Sequence, residues 1–441
     1  MKKTRLILLS ALTALSLTSC SLFNDDDIVI ENHFKTKEEA SAPKASEATA
    51  GGVDSRTETI GETEALVFKS VVYSNMADNK IENTYKGLGF DVNNNEDYGV
   101  NIDNNNFDLY VPKGLKKDED QTVVLFIHGG AWVSGLKTHV NPYVKEFTKR
   151  GYISATIEYT LLNRDFENEH KDLSVFRDLD EIDACIKTMK DMLVELGFTG
   201  SLSLVIGGVS SGAHLTMLYS YSRGTTSPLP IKFVLNAVGP TDIQSSVWKA
   251  FKYSESEQEA YEAALEAGID KTAIEAREGE GKLKTLGVAG ADYDWNEYRT
   301  MEIANGMAAF PYSPTKISSM ANEGKTDVAD PSDEAYKKLV SNDDSAEKLL
   351  SVTHYITSSN KIPMLCAYAG QDTIVGIGQF ANLQKHLDLV GYSINADHSG
   401  TTYSNNTYEF YYFKNCGHVN LDSDEAQYNA LLNRVEVWLK A

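Results

Sequence analysis

Residues 208–212 read Gly-Val-Ser-Ser-Gly and set Ser210 between two glycines. A serine hydroxyl is a poor nucleophile at neutral pH. It attacks a carbonyl only when a neighbouring base takes its proton and an acid orients that base. The pentapeptide by itself is a weak signal, because chance supplies it in roughly one chain of seven at this length. Its setting is stronger. The apolar run SLSLVI (201–206) precedes it and the helical AHLTMLYS (213–220) follows it. A strand that enters and a helix that leaves force a tight turn, which holds the serine side chain out of the fold. Glycines at 208 and 212 admit that turn, since a side chain at either place crowds it. The positive end of the outgoing helix also lies where negative charge would develop on a reacting carbonyl oxygen.

For a nucleophile presented this way, the acid and then the histidine come later in the chain, each after a core strand. LCAYAGQDTIV (365–375) puts Asp372 just past one apolar run, and FYYFKNCGHVN (410–420) puts His418 in the turn after another. Of the nine histidines, His418 occupies the required place. His398 precedes the last strand in a polar loop, His386 falls in a predicted helix, and His354 comes before the acid. Asp397 is the second choice for the acid. A third loop, FIHGGAWVSG (126–135), follows a buried strand. Gly129 and Gly130 let its backbone bend so that N–H groups point into the site and bind an oxyanion. The N–H of Ser211, the residue after the nucleophile, is the expected second donor. His128 is read as a support of this loop rather than a base, and Trp132 as packing beneath it.

Positioning three loops in this way takes a sheet whose strands all end on one side. ALVFKSVVYS (65–74) and FDLYVP (107–112) read as strands, separated by an Asn-rich turn region. From TVVLFIHGG (122–130) onward, strands and helices alternate. The continuous apolar runs mark strands buried on both faces. The helix over 176–196 carries Leu179, Ile182, Ile186, Met189 and Leu193 on one stripe. Such alternation predicts an α/β fold, a mostly parallel sheet with helices on both faces. Residues 245–350 do not fit the alternation. They carry little strand signal and much helix, and are too long for a loop. The reading is a helical cap insertion, whose Trp248, Tyr293, Trp295 and Phe310 line a pocket or form a small core of their own.

The four pieces HGGAW (128–132), GGVSSGAH (207–214), AGQDTIV (369–375) and CGH (416–418) together resemble the α/β-hydrolases of the hormone-sensitive-lipase-like and BD-FAE-type carboxylesterase group. The resemblance covers residues 105–240 and 360–441. It implies the α/β-hydrolase fold and hydrolysis of carboxylic esters through an acyl-enzyme, with no metal and no cofactor. Carried over, Ser210 is the nucleophile, His418 the base and Asp372 its orienter. The N–H groups of Gly130, Ala131 and Ser211 form the oxyanion hole, on a bend that begins at Gly129. Ala131 stands where that group often has a third glycine. The expected substrate is a small-molecule or polysaccharide-linked ester. Two rival readings are a serine peptidase of the prolyl-oligopeptidase type and a non-catalytic surface binding protein on the same scaffold. The first lacks room for an N-terminal propeller, and the second expects a broken set of catalytic residues.

The chain has 441 residues, 42% of them hydrophobic, with 63 acidic and 41 basic residues and a net charge of −22. That balance argues against nucleic-acid binding and against attraction to anionic lipid. The first 20 residues read as a secretory signal: basic MKKTR, apolar LILLSALTALSL, then LTSC. The ending resembles a bacterial lipobox, which makes Cys20 the lipidated mature N-terminus. The expected location is outside the cytoplasm, held to a bacterial membrane by the lipid anchor alone. Residues 21–62 are polar and poor in aromatics, and read as a disordered tether, with the hydrolase domain over 63–441. Cys185, Cys366 and Cys416 are expected as buried thiols, with a Cys366–Cys416 bridge as the lesser alternative.

Overall fold

The computed structural model describes residues 54–74, 105–132, 135–161, 175–243, 350–372 and 374–441. The signal segment, most of the tether and nearly all of the expected cap insertion lie outside the described residues. The chain divides into two compact units.

The unit comprising 16–164 and 176–237 holds seven strands in the order β1-β2-β3-β5-β4-β6-β7. β1 (Asp54–Ile60) and β2 (Thr63–Ser74) form an antiparallel hairpin whose turn uses Gly61 at φ 64°. β1 corrects the expected tether over 21–62, since residues 54–60 are a strand. Its sequence DSRTETI buries only Ile60 fully. Its backbone is satisfied by β2, so its polar composition carried no strand signal. β2 pairs antiparallel with β3 (Asn105–Pro112), and β3 with β5 (Ile153–Ile157). From there the pairing is parallel: β4 (Gln121–Ile127) with β5 and with β6 (Leu202–Val209), and β6 with β7 (Ile231–Ala237). The residues of β5 are all buried, as are Val123–Ile127 of β4. This is the burial that continuous apolar runs imply. Among the described residues, the α-helices in this part of the chain are α1 (Asn141–Lys149), α2 (Val175–Glu195) and α3 (Ser211–Arg223). The predicted stripe on α2 is buried throughout. α1 starts on Pro142 in its first turn, where a missing N–H costs nothing.

The unit formed chiefly by 238–441 has the strand order β8-β10-β9, all parallel: β8 (Met364–Ala369), β10 (Thr407–Phe413) and the short β9 (Ser393–Ile394). α4 (Ile377–Leu389) follows β8 and α5 (Glu425–Lys440) ends the chain. Asp424 caps α5 by accepting the Gln427 N–H at 3.2 Å. Residues 241–243 and 350–353 are stapled to one another. The Val352 N–H bonds Thr241 O at 2.9 Å, and the Ile243 N–H bonds Ser351 Oγ at 2.9 Å. Asp242 accepts from Ser351 Oγ at 2.9 Å and from Asn382 Nδ2 at 3.0 Å. Cys185, Cys366 and Cys416 are buried thiols and form no disulfide among the described residues. Among the described residues no helix is long and apolar enough to cross a membrane.

A buried ion pair holds α5 to β10. Arg434 Nε donates to both Glu409 oxygens at 2.9 Å. Burial pushes the Glu409 carboxyl up, but hydrogen bonds from His398 and Arg434 and the guanidinium charge outweigh it and hold it below its usual range. Removing one partner strands the other in the interior. Arg434→Leu is therefore expected to cost about 3–5 kcal/mol in urea unfolding, while Arg434→Leu with Glu409→Leu recovers much of that loss.

Candidate active site

Ser210 ends β6 and starts α3. Its backbone has φ 56° and ψ −125°, a left-handed conformation that costs a non-glycine residue roughly 1–3 kcal/mol and persists only where the surroundings impose it. Here the Ser210 N–H bonds Ala237 O at 2.9 Å, and Ser210 O accepts the His214 N–H at 3.0 Å. The flanking glycines are steric requirements. A Cβ on Gly208 would come within 2.6 Å of Ala213 N, and one on Gly212 within 2.7 Å of the His128 carbonyl carbon.

The loop after β4 lies directly against this turn. A Cβ on Gly129 would sit 2.8 Å from Val209 O and 3.0 Å from Ser210 Cβ. Gly130 has φ 128°, and Ala131 and Trp132 follow at φ 54° and 64°. The alanine thus accepts a left-handed bend that a glycine would take without strain. Ser211 is buried on the first turn of α3.

Several side chains hold this loop. His128 Nδ1–H donates to Gly129 O at 2.8 Å, the Tyr159 ring stacks on the imidazole with centroids 4.3 Å apart, and Tyr159 OH donates to His128 O at 3.2 Å. The His128 Nε2 lies 3.4 Å from Glu158 Oε1. Glu158 Oε2 accepts the Lys137 N–H at 3.0 Å. The Lys137 ammonium is itself buried and donates to Asp108 Oδ1 at 2.6 Å, Asn106 Oδ1 at 2.5 Å and Ser70 Oγ at 3.0 Å. Burial pushes the Asp108 carboxyl up, but Lys137 and then Lys69 outweigh it and hold it far below the usual carboxylate range. Trp132 does more than pack: its Nε1–H donates to His214 Nδ1 at 3.2 Å.

The acid and histidine lie in the other unit. Asp372 is fully buried. Its Oδ1 accepts the N–H groups of Ile374 and Val375, each at 2.8 Å, and its Oδ2 accepts His418 Nδ1–H at 2.6 Å. The two loops are stitched together by Gly370 N–H to Phe413 O at 2.8 Å and Gln371 N–H to Cys416 O at 2.9 Å. Asn420 Oδ1 accepts the Gly417 N–H at 2.6 Å, which steadies the residue before His418. Asp397, the second choice for the acid, instead accepts the Ser399 N–H at 3.1 Å in an exposed turn. His398 pairs with Glu409 at 3.1 Å, and His386 Nε2 meets Ile356 O at 2.8 Å.

Residues 107–277 match the family model described as BD-FAE, of α/β-hydrolase-type esterases. Among the described residues the fold is a mostly parallel sheet with interleaved helices. The chain is similar to esterase B from Lactobacillus rhamnosis at 13% identity, with a TM-score of 0.49 and coverage of 99% of this chain and 97% of that one. It is also similar to a truncated carbohydrate esterase from gut microbiota, at 13% identity, TM-score 0.45 and coverage of 76% and 90%. Among curated proteins it is 24% identical to the non-reducing polyketide synthase Preu3 of Preussia isomera over 38% of this chain and 7% of that protein. It is 26% identical to the non-reducing polyketide synthase atr1 of Stereocaulon alpinum over 31% of this chain and 6% of that protein. The match therefore spans a small fraction of either synthase.

Glu158, Lys137, His214 and Asn420 escaped the sequence reading of the site. Glu158 did leave a signal, a carboxylate inside the apolar run YISATIEYTLL, because a buried charge needs a partner. The others sit in ordinary polar or helical contexts and had no local mark.

The loop has a measurable pH signature. His139, whose Nδ1 accepts the Leu136 N–H at 3.2 Å, has its pKa pulled down to about 4, first by burial and then by His128. Unfolded, the same ring titrates near ~6.5. As pH falls below about 6.5 the unfolded chain takes the proton first, so this contribution to stability is present above that value and lost towards pH ~4. His139→Gln is expected to flatten the fall of the urea midpoint across that window. A second variant, Gly129→Ala, is expected to lower kcat by about 10-fold or more and to lower the urea midpoint as well, as its methyl group collides with Val209 O and displaces the loop from Ser210.

Proposed function

We propose that this protein hydrolyses carboxylic esters through an acyl-enzyme on Ser210, with His418 as base and Asp372 as its orienter. The observation that carries the reading is the left-handed backbone of Ser210 at a tight strand–helix turn between Gly208 and Gly212, the geometry that holds a nucleophilic serine out of the fold. The tautomer of His418 supports it. Since Nδ1 donates to the Asp372 carboxylate at 2.6 Å, Nε2 of the neutral ring is left as the proton acceptor.

In the proposed sequence Ser210 Oγ attacks the ester carbonyl carbon as its proton passes to His418 Nε2. The carbonyl oxygen becomes an oxyanion, stabilised by the N–H groups of Gly130, Ala131 and Ser211, with Gly129 beginning the bend. Collapse expels the alcohol, which takes the proton from His418. Water then attacks the acyl-enzyme with the same proton transfers and releases the acid. None of these steps calls for a metal or cofactor. The proposed substrates are small or carbohydrate-linked acyl esters. The proposed location is extracytoplasmic, tethered by lipid on Cys20, on the strength of the LTSC ending alone.

A panel of p-nitrophenyl esters of varied acyl length and of acylated sugars tests the reading, with aminoacyl-nitroanilides as the peptidase control. Ester turnover is expected to fall by about 10⁴-fold or more in Ser210→Ala. Turnover of nitroanilides alone would favour a peptidase, and an active Ser210→Ala protein would remove Ser210 from the chemistry.

A further inference from the structure

We infer that His214 and Trp132 form a latch that positions the oxyanion donors relative to the nucleophile. This rests on the reading of Ser210 as nucleophile and of the 129–131 backbone as donors.

The loop needs such a device. Ala131 and Trp132 are consecutive non-glycine residues in the left-handed region, at φ 54° and 64°. Two strained residues in a row hold only where their surroundings impose the bend. The start of the loop is held by His128 Nδ1–H on Gly129 O, at 2.8 Å. Its far end is held by Lys137 N–H on Glu158, at 3.0 Å. Between these two points the indole of Trp132 reaches α3, where its Nε1–H donates to His214 Nδ1 at 3.2 Å. The two rings meet edge to face, with centroids 5.2 Å apart and an interplanar angle of 90°.

His214 is the residue through which this contact reaches the nucleophile. It lies four positions after Ser210, is fully buried, and its own N–H bonds Ser210 O at 3.0 Å. One residue therefore holds the nucleophile turn by its backbone and the donor loop by its ring. Because Nδ1 accepts, the proton of the neutral imidazole is on Nε2, so the ring has the tautomer that receives an indole N–H. The indole donates only, and the direction of the bond is fixed.

Both are positioning residues, since neither is placed on the reacting atoms. Oxyanion donors act on charge that appears only in the transition state. A loosened latch should therefore lower kcat and leave KM nearly unchanged, whereas a general loss of structure would move the melting temperature and KM as well.

The test compares Trp132→Phe, which keeps an aromatic ring without the donor, His214→Leu, which removes the acceptor at similar volume, and His214→Asn, whose amide oxygen can replace Nδ1 as acceptor. Ser210→Ala serves as the reference, with kcat and KM on a p-nitrophenyl ester and the thermal midpoint measured for each. Trp132→Phe and His214→Leu are expected to lose about 10- to 100-fold in kcat with KM within about twofold. Their double variant should be no worse than either alone, since both break one bond, and His214→Asn should retain kcat within about threefold. If His214→Leu does not fold, the partly exposed Trp132→Phe decides the matter alone. A stable Trp132→Phe protein with undiminished kcat overturns the latch, as does a double variant whose losses multiply. Should Ser210→Ala keep its turnover, the fault lies in the assignment of the nucleophile.

Discussion

The left-handed backbone at Ser210 is the constraint on which this half of the molecule is organised. A non-glycine residue reaches φ 56° only under compulsion, and the compulsion comes from both sides in sequence. β6 delivers the chain at one angle and α3 removes it at another, with the Ser210 N–H spent on Ala237 O of the neighbouring strand. Close approach is what makes the turn possible. Gly208 meets the first turn of α3, and Gly212 meets the carbonyls at the end of β4. Strand, turn, helix and neighbouring strand end are thus packed at backbone contact, and the serine's exposure is a consequence.

The same close approach explains why so many charged groups are buried around the loop after β4. That loop must bend against Ser210, and polar side chains hold both of its ends. His128 holds Gly129 O and Glu158 holds the Lys137 N–H, while the Asp108 carboxylate, shared with Lys69, anchors the Lys137 side chain. Buried charge of this kind is a poor source of stability, since desolvation offsets most of the attraction. Its value lies in direction. A carboxylate that accepts from Ser70 N–H, Lys69 and Lys137 at once allows one arrangement of the strands around it, and apolar packing alone would allow several.

In the other unit the problem is solved with backbone donors. Asp372 is buried with two N–H groups on one oxygen and His418 on the other. The N–H bonds fix the carboxylate plane, which in turn fixes the imidazole. Asn420 and the Gly370 and Gln371 bonds set the spacing of the two loops before either side chain is considered.

The alternation of apolar runs and helical stripes made most strands and helices legible, because a strand buried on both faces must be apolar throughout and a helix on a sheet must carry one apolar face. The elements at Val123–Ile127, Leu202–Val209, Ser211–Arg223 and Glu425–Lys440 follow from that rule. So did the choice of Ser210, Asp372 and His418 as residues at strand ends, since local glycines and turns mark those places. What the sequence could not disclose was every interaction whose partners are far apart in it. β1 is a strand only because β2 offers it a ladder, and its own residues bury too little to announce it. The bond from Trp132 to His214 and the burial of Lys137 against Asp108 depend on distances that only the folded chain sets. Periodicity and turn chemistry act over a few residues and leave their mark in the sequence. The partner of a polar side chain is chosen by the tertiary packing that excludes water around it.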